Sequence, residues 1–131
     1  MQRKLIVING ENFYDMESFY IEIDKVMTKD LTWKTGHNLD AFNDLLRGGF
    51  GMFEYLEPIE LIWKNSEKSR KDLGFTETIK CYEASLRTCH PSNADGLKRD
   101  IENAKQGKGT TLFDLIIEII EDHEHIELQL K

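Results

Sequence analysis

Apolar residues recur along this chain in two rhythms, one of period two and one near 3.6, and the rhythm changes wherever turn-forming residues stand. Leu5-Ile6-Val7-Ile8 is a short apolar run closed by Asn9-Gly10, which predicts a buried strand over residues 3–8 and then a turn. Asp15 next precedes Met16, Phe19, Tyr20, Ile23, Val26 and Met27, whose spacing of three and four predicts an amphipathic helix capped by Asp15. A connection from Lys29 to Thr35 carries Trp33 and leads to Asn38. Asn38 suits an N-cap, and Leu39, Phe42, Leu45 and Leu46 after it form the apolar face of a shorter helix. Arg47-Gly48-Gly49-Phe50-Gly51 ends that helix in a glycine-rich loop. Ile59, Leu61 and Trp63 mark a second strand, and Asn65 or Ser66 opens a charged helix that stops at Gly74.

In the second half, Ile79, Tyr82 and Leu86 predict a helix within Thr76–Cys89. His90 to Gly96 reads as a loop by composition, with Pro91 to Gly96 a mobile link because it lacks apolar anchors. Leu97, Ile101 and Ala104 make a weaker helical stripe, and Gln106-Gly107-Lys108-Gly109 breaks it. Thr110 or Thr111 then caps a strongly apolar helix with Leu112, Leu115, Ile116, Ile119 and Ile120. Ile126, Leu128 and Leu130 alternate with Glu127, Gln129 and Lys131 in a last strand. Strands separated by helices favour an α/β fold in a single domain, with a three-stranded parallel sheet and its core between sheet and helices.

Composition narrows the function. A hydrophobic fraction of 40% with thirteen aromatics argues against disorder. The net charge of −7 disfavours direct binding of nucleic acid, which needs Lys and Arg against phosphate, and suits a basic protein partner. The four apolar residues after Met1-Gln2-Arg3-Lys4 are too few for a signal-peptide core, and no run reaches transmembrane length. The expectation is a cytoplasmic protein with no membrane contact, monomeric when unbound. Cys81 and Cys89 match no zinc spacing and read as reduced thiols.

The carboxylates of the short helix are the sharpest chemical feature. Asp40 and Asp44 lie four residues apart, so they are neighbours on one helix surface and repel weakly. Asp40 has a bland reading as a first-turn carboxylate at the positive end of the helix dipole, which is weaker for Asp44 a turn later. Asp122-His123-Glu124-His125 holds metal-ligand residue types but spans a helix-to-strand turn, so a solvated turn is the better reading and no metal is expected. His37 and His90 fall on loops without an identifiable nucleophile. Gly107-Lys108-Gly109-Thr110-Thr111 lacks the spacing and preceding strand of a phosphate loop. No cofactor is implied, and catalysis is not expected.

The segment Gly36-His37-Asn38-Leu39-Asp40-Ala41-Phe42-Asn43-Asp44-Leu45-Leu46 resembles the inhibitory loop and helix of the barstar family of bacterial ribonuclease inhibitors. Ile6 to Glu11 is similar to that family's first strand and turn, Pro58 to Trp63 to its second strand, followed by Ser66 to Gly74, and Ile126 to Lys131 to its third, in the same order. The region from about 76 to 110 is unmatched and reads as an inserted helical region. The resemblance implies a barstar-like α/β fold, no enzymatic activity, and an immunity or antitoxin-like protein that blocks a basic ribonuclease or related nuclease toxin with acidic side chains. It implies that Asp44 is the dominant inhibitory residue, with Asp40 at the helix start and Gly36 and Asn38 in the turn presenting them. Glu118 and, one turn later, Asp122 fall where the family has contacting acidic residues. The chain departs from the pattern where Asn43 replaces a tryptophan and where Lys34 and Thr35 replace tyrosines, and Phe50 is the candidate for the contact aromatic after the helix. The alternative is a barstar-fold interaction or regulatory module without a nuclease target, and the partner's identity separates the two.

Overall fold

A computed structural model describes residues 3–30 and 36–131. Lys4–Asn9 forms β1, and a 3-10 turn over Gly10–Asn12 leads to α1, Met16–Met27. The acidic segment is α2, Leu39–Leu46, followed by β2, Ile59–Lys64, and α3, Ser66–Asp72. Two long helices, α4 (Phe75–Thr88) and α5 (Pro91–Lys105), precede α6 (Leu112–Glu121) and β3 (Ile126–Leu130). The expected class is correct: the three strands pair in parallel in the order β1-β2-β3.

Side-chain alternation decides which face of the sheet is covered. Ile59, Leu61 and Trp63 of β2 are wholly buried, as are Ile6 and Ile8 of β1, and they meet α1, α2 and α6 in one apolar core. The residues between them stay partly wet, with Leu5 exposed and Gln129 bonded across the strands to Glu60 at 2.8 Å. Trp63 sits at the centre. Its indole N–H donates to Ser69 at 2.9 Å, its ring stacks on Phe19 at 5.8 Å, and Phe13 and Phe113 meet it edge-on. Glu22 is a buried carboxylate of α1 that accepts from the backbone N–H of Asn9 and the side chain of Asn12, which ties α1 to the end of β1.

The caps follow the sequence. Asp15 and Ser18 form a reciprocal capping box on α1, Asn38 accepts from the N–H of Ala41, and Thr111 caps α6. One expectation fails. Pro91 to Gly96 is no link; it forms the first turns of α5. Pro91 occupies the first helical position, where its missing N–H costs nothing, and His90 accepts from the N–H of Ser92 as the cap. Composition suggested a loop because Pro, Ser and Asn favour helix starts as strongly as they favour turns. The expected edge of the inserted region at Thr76 also falls inside α4, whose first turn belongs to the body. Thr78 is wholly buried, donates to the carbonyl of Gly74 at 2.7 Å and accepts from the N–H of Leu112 at 2.9 Å. Glu77 accepts from the N–H of Met16 at the start of α1 at 2.8 Å.

The root of α4 is therefore a structural joint with α6. Thr78→Val keeps the shape but leaves the N–H of Leu112 buried without an acceptor, which should cost about 1–3 kcal/mol. Urea unfolding monitored by circular dichroism measures this; an unchanged midpoint would mean that α4 is a loose appendage.

Candidate functional site

α2 is eight residues long, too short to be stable alone, and packing holds it. Phe42, Leu45 and Leu46 are buried, and the ring of Phe42 meets Phe19 edge-on at 5.5 Å, which joins the helix to the cluster around Trp63. The opposite face carries Asp40, Asp44 and Arg47, all exposed. Asp44 is 63% exposed, and Arg47, one turn on, donates to its carboxylate at 2.7 Å. Gly48 lets the chain leave the helix with a φ of +89°, where a side chain would strike the carbonyl of Glu54 and the ring of Phe53.

The loop after α2 closes on itself. The N–H of Leu56 donates to the carbonyl of Arg47 at 2.6 Å, and the N–H of Gly49 to that of Phe53 at 2.8 Å. Phe50 does not project from it as a free aromatic; it is half-buried, packs against the core, and its carbonyl accepts from the N–H of Lys29 at 2.9 Å. The exposed apolar residues here are Tyr55 (66%) and Leu56 (48%), the latter with a φ of +58°. Sequence reasoning missed them, because a two-residue apolar step inside a loop has no period to reveal its exposure.

The segment before α2 is anchored by His37, which sequence reasoning left without a partner. Its Nδ1 lies 2.7 Å from Glu17 and its Nε2 3.1 Å from Asp24, both on α1, and its ring stacks on Tyr20 at 5.6 Å. The hydrogen bond to Glu17 raises the pKa of His37, partial burial opposes this, and Asp24 adds to the rise. Gly36 and Asn38 flank it and are exposed. Lys34 and Thr35 lie outside the described residues, as does Trp33.

On the other side of α2, the turn between α6 and β3 supplies His123 and His125. The Nε2 of His123 is 2.7 Å from the side-chain oxygen of Asn43, and that of His125 is 2.8 Å from the carbonyl of Leu46. A solvated turn was expected; the segment is a turn, closed by the N–H of Ile126 on the carbonyl of His123 at 3.1 Å, but both rings are half-buried against α2. Burial lowers the pKa of His123, and His125 and Arg47 lower it further, against a smaller opposing pull from Asp122. An open depression of about 570 Å³ lies here, lined by Asn43, Arg47, Leu56, Asp122 and the two histidines, with Glu124. The fold thus brings Asp122 beside the C-terminal half of α2, while Glu118 stands exposed a turn earlier on α6. Among the described residues no group of three or more side chains is arranged to hold a metal ion, and no helix is long and apolar enough to cross a membrane. Cys81 and Cys89 are free and half-buried.

A raised histidine pKa means that the folded state binds the proton more tightly than the unfolded chain. The stabilisation from His37 is therefore full below about pH 6.5, the ordinary imidazole value, and is lost as pH rises through the raised value. The stability deficit of His37→Gln should be largest near pH 6 and shrink toward pH 8.5. Urea midpoints of both proteins across that range test the sign, which a pH-independent deficit would refute.

The surface so assembled is an exposed acidic helix flanked by histidines and by the exposed apolar side chains of Tyr55 and Leu56. A search of characterised proteins finds no match to this chain. The model of the Barstar family, described as barnase inhibitor, matches residues 3–113, a span that contains β1, α1, the acidic helix α2, β2 and the α4–α5 pair. The chain belongs to the barstar family.

Proposed function

We propose that this protein is an inhibitor, of immunity or antitoxin type, that binds a basic ribonuclease or related nuclease toxin and fills its active site with the carboxylates of α2. The observation that carries the reading is the exposure of Asp40 and Asp44 on a short helix whose other face is locked into the aromatic core. A nuclease site is a cationic cleft shaped for phosphates, and carboxylates fixed on a rigid helix occupy such positions without offering a bond to cleave. Asp122 and Glu118 extend the acidic surface along α6, and Gly36 and Asn38 shape its entrance. Tyr55 and Leu56 supply the apolar contact in place of Phe50. Asn43 contributes chiefly by its bond to His123. Arg47 sets a requirement on the partner, whose cations must replace or share the guanidinium already on Asp44. The α4–α5 pair, beyond its buried root, tunes partner choice and does not create the activity.

Capture of bound proteins from the native host, followed by calorimetry with the one recovered, tests the proposal; recovery of a partner without nuclease activity would favour a regulatory module instead. With the nuclease in hand, Asp44→Ala should weaken binding by about 2–5 kcal/mol, since the partner's cation is left buried and unpaired, and Asp40→Ala by less. Complexes of this family contribute to that general range. Circular dichroism should show both variants folded, because neither side chain enters the core.

The charge of −7 also predicts steering. Screening lengths fall from about 30 Å at 0.01 M salt to about 10 Å at 0.1 M, so association should slow across that range while dissociation changes little. Stopped-flow binding over a salt series reads both rates, and a salt-independent association rate would argue against a cationic target cleft.

A further inference from the structure

The turn between α6 and β3 has a role that neither the acidic helix nor the family match assigns to it. We propose that His123 and His125 are positioning residues for α2, and that through them the C-terminal half of this helix responds to pH. The inference rests on the reading of α2 as the partner-binding element.

Hydrogen-bond chemistry fixes the starting state. Both rings face carbonyl-type oxygens, Oδ1 of Asn43 at 2.7 Å and the backbone oxygen of Leu46 at 2.8 Å, so each Nε2 carries the proton and donates. That leaves each Nδ1 as the ring nitrogen without a proton. The bond to Leu46 has a further consequence. The last carbonyls of a helix have no partner within it, and here the N–H groups of Arg47 and Gly48 go to Asp44 and Leu45. His125 thus supplies the donor for the carbonyl of Leu46 and caps α2 from another element, 79 residues away in sequence. His123 holds the helix by a side chain instead, donating to Oδ1 of Asn43, the residue beside Asp44.

The charges around the pair make it responsive. The rings meet edge-to-face with centroids 5.6 Å apart, so positive charge on His125 disfavours a proton on His123. From α2, Arg47 faces the same depression and adds a third cation, while its own carboxylate partner, Asp44, lies on the outer surface. From the turn itself, Asp122 and Glu124 offer compensating negative charge. From the loop after α2 comes only the apolar side chain of Leu56. On the sheet side, Arg3 donates to the backbone oxygen of His125 at 2.9 Å and pairs with Glu127. A ring that takes up a second proton becomes a cation whose Nε2–H is a stronger donor, so as pH falls the bond of His123 to Asn43 tightens, while Arg47 on the same depression is held off the ring and on its existing partner Asp44. The depressed proton affinity of His123 accords with this crowding.

Nuclear magnetic resonance of the full chain, isotope-labelled and without a partner, tests this between pH 5 and 8. The ring carbon-bound protons of His123 and His125 report protonation, and the Asn43 side-chain amide with the backbone amides of Arg47 and Gly48 reports α2. The expected result is that these amides shift with the same midpoints as the rings. His123→Gln, which retains a neutral N–H donor, should abolish the shift at Asn43, and His125→Gln the shift at Arg47 and Gly48. Rings that titrate while the amides stay flat, or amide shifts that persist in the Gln variants, would overturn the proposal. Should His125→Gln fail to fold, His123→Gln decides it alone. Because no nuclease is present, the result is separate from that of Asp44→Ala, which bears on the inhibitor reading itself.

Discussion

The structure depends on the burial of Trp63 in the middle of the central strand. A tryptophan can be enclosed at low cost only where its indole N–H finds an acceptor, and Ser69 of α3 provides one at 2.9 Å. Around that fixed ring the aromatic contacts radiate, through Phe13 to the turn after β1, through Phe113 to α6, and through Phe19 to α1. Phe19 in turn touches Phe42, so α2 is tied to the sheet by a relay of rings although it lies beside no strand of its own. An eight-residue helix bearing two like charges has little stability of its own. Its rigidity is borrowed from the core, and the placement of its carboxylates follows from that loan.

Around α2 the fold balances charge at three points. His37 sits between two carboxylates of α1 and secures the segment entering the helix. Arg47 covers Asp44 from one turn away. His123 and His125 hold the far end from the α6–β3 turn. The two sites differ in sign: the carboxylates raise the proton affinity of His37, whereas burial and the cations beside it lower that of His123. Histidines thus hold both ends of one short helix, and the exposed carboxylates lie between them.

The α4–α5 pair stands in a different relation to this core. Its root is integral, since Thr78 and Glu77 satisfy backbone groups of α6 and α1. Further out, Ile101 and Ala104 are buried but lie apart from the main apolar cluster, in packing that α4 and α5 share with each other. The pair is therefore a graded extension, fixed at its base and progressively independent toward its tip.

The sequence by itself determined everything that depends on local period and local hydrogen bonding. The three strands, the caps at Asp15, Asn38 and Thr111, the apolar faces of α1 and α6 and the exposed position of Asp40 and Asp44 all follow from spacing and side-chain chemistry within a few residues. The start of α5 was ambiguous for a local reason, because Pro91 and Ser92 serve a turn and a helix start equally well. Tertiary structure alone decided the partners of the histidines. His37 meets residues 20 and 13 positions earlier, and His123 and His125 meet residues about 80 positions earlier. No periodicity encodes such separations; they exist only once the relay from Trp63 has brought α1, α2 and the α6–β3 turn together. The same holds for Phe50 and Tyr55, whose burial and exposure are set by the way the loop after α2 folds back on Lys29 and Arg47 and not by their own hydrophobicity.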